Sequence, residues 1–142
     1  VPAGKVLVCQ PNTHAIALMG ELSARALMVK DTKGYLMDGH CRDVADILEM
    51  EFPVFGRLST PADIMERWTC DALGTPITIG TVTIRSRDYL IADMDGAVVI
   101  PQEIAEAAVT QTEKVMAEES DMRKAILDGM DPEQAYLKYN RF

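Results

Sequence analysis

Apolar and polar positions in this chain switch repeatedly between the period of a strand and the period of a helix. The run Lys5-Val6-Leu7-Val8-Cys9-Gln10 follows Pro-Ala-Gly and predicts a short buried strand. Residues 20–34 carry strong helix formers and place Leu22, Ala26 and Val29 on one face. They end at Lys33-Gly34, so the pattern predicts a helix closed by glycine. A strand over 35–39 stops at Asp38-Gly39. Helical spacing returns over 42–50 through Val44, Ile47 and Leu48, and 52–58 predicts another strand with Pro53 at its start or on a sheet edge. Residues 59–75 show neither period and read as loop, with one helical turn at most.

Further on, residues 76–84 alternate about Gly80, as a hairpin or a kinked strand would. Residues 88–101 predict two strands around the Asp95-Gly96 turn. Pro101 opens a long helix with Ile104, Ala108, Val115, Met122 and Ile126 on one stripe, and Gly129 ends it. Asp131 then N-caps a short helix, with Gln134 at the capping-box position. Strand, helix, strand, helix, several strands and a last helix make an α/β fold, parallel first and antiparallel later, over one domain spanning 1–142. The long stripe is more than a small core needs. It fits either an oligomer contact or a helix that packs internally along a solvated tail.

Composition narrows the function classes. The chain has 142 residues, 48% of them hydrophobic and 25% charged, enough for one domain with a real core. No apolar run approaches the roughly 20 residues a bilayer span requires, so no membrane partner is expected. The opening Val1-Pro2-Ala3-Gly4 lacks the basic and apolar regions of a signal peptide. A formal charge of −8 repels phosphate backbones and argues against a nucleic-acid partner. Cys9, Cys41 and Cys70 are odd in number and form no CxxC, which disfavours a disulfide framework and makes a reducing cytoplasm the expected compartment.

The chemistry concentrates in Met37-Asp38-Gly39-His40-Cys41-Arg42-Asp43. On the residues alone, two readings of Asp43 stand. It is a helix-start carboxylate favoured by the dipole, the commoner case, or a hard oxygen ligand for Mg²⁺ or Mn²⁺. In the second reading Arg42 offers its planar fork to a substrate carboxylate. His40 and Cys41 are sequence neighbours, and His14 is the only other histidine, so zinc is disfavoured. Gly20-Glu21-Leu22-Ser23 opens a predicted helix whose free amides suit an anion. Glu21 would compete with that anion or hold a metal-bound water. Asp93 and Asp95 read as turn residues, and Ser23 has no base nearby in sequence.

The motifs GELSARA, GYLMDGHCRDVADI and YLIADMDGAVVIP, in this order and spacing, resemble one family. It joins the 4-hydroxy-4-methyl-2-oxoglutarate aldolases to the regulators of ribonuclease activity A. The resemblance runs from about Pro2 into the YLKYNRF tail. It implies a swivelling β/β/α-type domain with a mixed sheet and a long C-terminal helix, assembled as a trimer or hexamer with sites at subunit interfaces. In the aldolase branch, the segment matching Gly20, Glu21, Leu22 and Ser23 binds substrate. The arginine matching Arg42 binds substrate and supports catalysis, and the aspartate matching Asp43 binds Mg²⁺ or Mn²⁺. The regulator branch commonly lacks that aspartate, so the Arg42-Asp43 pair favours the enzyme. The expected substrate is a small 4-hydroxy-2-oxo acid cleaved to pyruvate, with oxaloacetate decarboxylation as a side activity. The alternative is a non-catalytic regulator that docks on a ribonuclease. Two departures stand out: the tens of residues that usually precede the first strand are not in this sequence, which reads either as a fragment or as a chain whose missing pieces are supplied otherwise, and Ser86-Arg87-Asp88 replaces the usual Pro-Gly-Asp.

Overall fold

The computed structural model of the chain describes residues 2–140; Arg141 and Phe142, the end of the tail that carries the resemblance, lie outside them. Contacts divide the chain into two compact units, Val1–Pro101 and Gln102–Phe142.

In the first unit the chain makes three passes, and each pass is broken into two short strands. The first is β1 (Val6–Cys9) and β2 (Ala17–Met19), followed by helix α1 (Glu21–Val29). The second is β3 (Gly34–Met37) and β4 (His40–Cys41), followed by α2 (Val44–Glu49). The third is β5 (Val54–Phe55) and β6 (Leu58–Ser59). Leading strands pair in parallel in the order β1-β3-β5, and trailing strands pair in parallel in the order β2-β4-β6. The predicted strand over 52–58 is therefore two strands in two different sheets. Gly56 stands at the change of sheet: an added Cβ would lie 3.0 Å from the Gly39 carbonyl oxygen and 2.8 Å from the Met37 side chain.

The two helices follow their strands as a parallel arrangement demands. Helix α1 ends earlier than its composition predicts, because Asp31 takes the left-handed conformation at φ 58° and Thr32 N–H returns to the Leu27 carbonyl. Gly34 then opens β3 instead of closing the helix. The buried face of α1 is also different from the predicted one. Ala24 is fully buried and Leu27 packs on the core, while Leu22, Ala26 and Val29 face solvent. Small Ala24 lets the helix approach the sheet closely, and that proximity decides the face. In α2, only Ile47 of the predicted apolar trio is buried. The core joins Met19, Ala24, Tyr35, Met37, Ile47 and Phe52. Burial pushes both Tyr35 of this core and Cys9 packed against it above their ordinary ionisation range, leaving Cys9 a poor nucleophile.

The later part is antiparallel, as predicted. Strands β7 (Ile77–Ile79) and β8 (Val82–Ile84) form a hairpin at Gly80, φ 61°, and β9 (Tyr89–Ala92) pairs with β10 (Ala97–Ile100) across residues 93–96. Asp93 accepts from the Asp95 N–H, so this acidic pair is turn chemistry. In the second unit a short 3-10 turn leads into α3 (Ala105–Leu127), and α4 (Pro132–Tyr139) packs on it. Met122 is buried, and Ala108, Val115 and Ile126 are half-buried along the predicted stripe; Ile104 is exposed. The Asp131 carboxylate caps α4 by accepting from the Glu133 and Gln134 amides. Among the described residues no helix is long and apolar enough to cross a membrane.

A candidate active site at the ends of three parallel strands

Register brings the site together. Met19 of β2 lies opposite Cys41 of β4, and Cys41 lies opposite Ser59 of β6. The residues that leave these strands at their carboxyl ends, Gly20-Glu21, Arg42-Asp43 and Thr60, therefore emerge side by side. Backbone bonds lock the arrangement, with Arg42 N–H donating to the Met19 carbonyl at 2.8 Å and Thr60 N–H donating to the Cys41 carbonyl at 2.9 Å. The carboxyl edge of a parallel sheet is where open α/β folds bind ligands.

Asp43 occupies the N-cap position of α2 but does not cap it. Its backbone is left-handed, φ 55° and ψ 40°, and its side chain makes no cap bond to α2. The carboxylate turns instead to the neighbouring helix, where Oδ2 accepts the Glu21 amide at 3.0 Å. Oδ2 also lies 3.6 Å from Arg42 Nε. Asp43 thus supports the start of α1 from 22 positions away, and its Oδ1 has no protein partner among the described residues. The close approach requires Gly20: a Cβ there would stand 2.7 Å from Asp43 Oδ2 and 3.0 Å from Arg42 Nε.

Gly20, Glu21, Leu22 and Ser23 line a cleft of about 300 Å³ together with Arg42, Asp43 and Asp46. The residues to which the resemblance assigns roles, Gly20 to Ser23, Arg42 and Asp43, are all in this one wall. Glu21 does not compete for the helix N-terminus, because its carboxylate pairs with Arg25 one turn on. Among the described residues the Leu22 and Ser23 amides have no backbone acceptor. A second opening of about 520 Å³ shares Arg42 and Asp43 and continues along Val44, Ser59, Thr60 and Pro61. Arg42 and Asp43 stand between the two lobes.

Two acidic residues were not singled out from the sequence. Asp46 lies one helical turn beyond Asp43, a spacing that could have signalled it. Asp63, in the stretch that reads as loop, accepts a hydrogen bond from Arg42 Nη1. The Met65 amide and then the Arg42 guanidinium hold the Asp63 carboxyl below the usual carboxylate range, and Asp63 in turn raises Arg42. Away from this site, the His14 and His40 rings lie 6.3 Å apart between centroids, tilted by 50°. Among the described residues no group of three or more histidine, cysteine or acidic side chains is arranged to hold a metal. Magnesium needs fewer protein ligands, since one or two carboxylates suffice when water and substrate complete the shell. Asp43, which lines the cleft and whose Oδ1 has no partner among the described residues, fits that requirement.

Comparison with known proteins identifies the family. A family model described as RraA-like, Aldolase/RraA, matches residues 1–99. A Halalkalibacterium halodurans protein bearing the name "Putative 4-hydroxy-4-methyl-2-oxoglutarate aldolase" is 31% identical over 137 residues, 96% of this chain and 65% of that protein. An Azotobacter vinelandii protein of the same name is 34% identical over 100 residues, 70% of this chain and 61% of that protein. Among solved structures, an uncharacterized protein of Pseudomonas syringae pv. tomato superposes with a TM-score of 0.92 at 28% identity, covering 98% of this chain and 66% of its own. A Streptomyces coelicolor protein, described as an unusual member of the RNase ES inhibitor RraA protein family, gives a TM-score of 0.79 at 28% identity, covering 87% of this chain and 63% of its own. The chain thus spans somewhat under two thirds of the length of these named aldolase relatives. Its mixed α/β architecture and long C-terminal helix are those of the matched structures, and the chain belongs to the RraA-like family.

Proposed function

We propose that the chain carries a divalent-metal-dependent aldolase site that cleaves 4-hydroxy-2-oxo acids, such as 4-hydroxy-4-methyl-2-oxoglutarate, to pyruvate. The observation that carries this reading is the meeting of Arg42 and Asp43 on the wall between two lobes, with the open amides of Leu22 and Ser23 beside them.

The charges of the site support a metal. Asp43 and Asp46 face the cleft, and Asp63 already engages the Arg42 guanidinium. An anionic substrate would meet a net negative wall, which a divalent cation on Asp43 would reverse. When bound, Mg²⁺ or Mn²⁺ supplies a Lewis acid for the 2-oxo group. The protein supplies the rest. The Leu22 and Ser23 amides offer hydrogen bonds to the substrate's carboxylate at a helix N-terminus. The 4-hydroxyl gives its proton to water in the cleft, the C4–O bond becomes a carbonyl, and the C3–C4 bond breaks with its electrons forming an enolate at C2–C3. Arg42 donates to the oxygen where that charge gathers, and protonation at C3 gives pyruvate. The lobe along Ser59 and Thr60 gives room for the part of the substrate beyond C4. Oxaloacetate loses carbon dioxide through the same enolate, which makes decarboxylation the expected side activity. Among the described residues neither lobe is lined by lysine, and the proposed reaction calls for no Schiff base.

A second reading, a non-catalytic regulator that docks on a ribonuclease, is favoured by exposed Leu22, Val29 and Leu48 on the helices flanking the cleft. One assay separates the two. Pyruvate release from a panel of 4-hydroxy-2-oxo acids and oxaloacetate should vanish with EDTA and return with Mg²⁺ or Mn²⁺. Asp43→Asn should lose metal affinity by calorimetry, and Arg42→Lys should bind metal normally yet turn over about tens- to hundreds-fold more slowly. Full activity after exhaustive chelation, or wild-type rates in Asp43→Asn, would refute the metal mechanism.

A further inference from the structure

Arg42 leaves its strand on a flexible side chain of which 40% is exposed, yet its proposed work requires one orientation. The backbone bond to Met19 fixes its Cα and leaves the guanidinium free to choose among rotamers. Something beyond the strand must hold the head.

We propose that Asp63 is the positioning residue for Arg42, fixing the edge of the guanidinium that faces substrate. The proposal rests on the aldolase reading of the site. Asp63 Oδ2 accepts from Arg42 Nη1, while Asp43 Oδ2 lies on the Nε side at 3.6 Å. A guanidinium carries N–H groups on three nitrogens, and with two of them facing carboxylates the Nη2 end is left for a ligand. The carboxylate that sets this orientation is itself held. Its Oδ1 accepts the Met65 amide at 2.6 Å, and the segment before it is pinned twice, by Thr60 N–H to the Cys41 carbonyl and by Ala17 N–H to the Ala62 carbonyl, each at 2.9 Å. The segment before Asp63 is therefore tied to β2 and β4, although 21 positions separate Asp63 from Arg42.

Asp63 lines neither lobe, so it acts through Arg42 without touching substrate. Nor does stability account for it. Both partners are about 40% exposed, and ion pairs so open to water contribute little to folding. The pair's consequence lies in geometry, where a small misplacement of a charge-stabilising donor costs turnover.

The test compares Asp63→Ala and Asp63→Asn with the wild-type chain. Turnover should fall about tenfold or more in Asp63→Ala and less in Asp63→Asn, whose amide oxygen can still accept from Nη1. Magnesium titration should be unchanged in both. A second readout needs no activity: labelling of Arg42 by phenylglyoxal, followed by peptide mass mapping, should be faster in Asp63→Ala because its guanidinium is released. Wild-type labelling rates in both folded variants would overturn the positioning role, whatever the turnover. If the wild-type chain releases no pyruvate while Arg42 labelling still rises in Asp63→Ala, the aldolase reading falls and the positioning of Arg42 stands.

Discussion

Gly20 shows how narrow the tolerance of the site is at single atoms. Its backbone, φ −141° and ψ 179°, is extended and open to any residue, so an alanine there meets no conformational penalty. What it meets is the Asp43 carboxylate at 2.7 Å and the Arg42 side chain at 3.0 Å. Gly20→Ala should therefore leave the melting temperature within a few degrees and push Asp43 and Arg42 out of place. Weaker magnesium binding and slower pyruvate release, with a native circular dichroism spectrum, are the expected result. Unchanged metal affinity would mean that Asp43 can shift without consequence. Asp43 carries a comparable constraint, since its left-handed backbone suits aspartate or asparagine far better than most residues.

At the level of elements, the three crossings between the paired sheets share one charged cluster. His14 lies between β1 and β2, Asp38 between β3 and β4, and Arg57 between β5 and β6. Asp38 Oδ1 accepts from Arg57 Nε and lies 3.4 Å from His14 Nε2. Arg57, more than His14, holds the Asp38 carboxyl below its ordinary range. A depressed carboxylate contributes stability above its unfolded-state pKa of about 3.9, and that contribution is lost as pH falls through the lower folded value. Acid unfolding should therefore set in below about pH 4 with a term owed to Asp38. Asp38→Asn should be less stable at neutral pH and lose less on acidification; identical pH profiles for the two chains would show that the cluster does not brace the crossings. These crossings also mark what the sequence hides. The long helix, the hairpins and the alternation of strand with helix are legible from periodicity. Strands β2, β4, β5 and β6 are too short to show a period, so a change of sheet within one apolar run goes unseen. The helix-start motif and the Arg42-Asp43 pair are visible as residues. Asp63 is not, because its partner is set by strand register and its own segment is irregular.

For the whole molecule, the exposed apolar residues Leu22 and Val29 on α1 lie on the helix that opens at the cleft. We propose that copies of the chain associate as trimers or hexamers with the site near the contact. Light scattering should then show a mass several times that of one chain, and a monomer with undiminished turnover would contradict it. The interleaving of the two parallel sheets has a consequence for how the chain acquires its structure. Each pass contributes one strand to each sheet, so the first sheet is not complete until β5 is in place and the second not until β6 is. No early segment can settle on its own, and closing the parallel pairs means ordering the helices between them first, a slow route by loop-closure entropy. The hairpins β7–β8 and β9–β10 face no such delay. During synthesis the first part made would be the last to become native, with its strand edges open until residue 59 has left the ribosome.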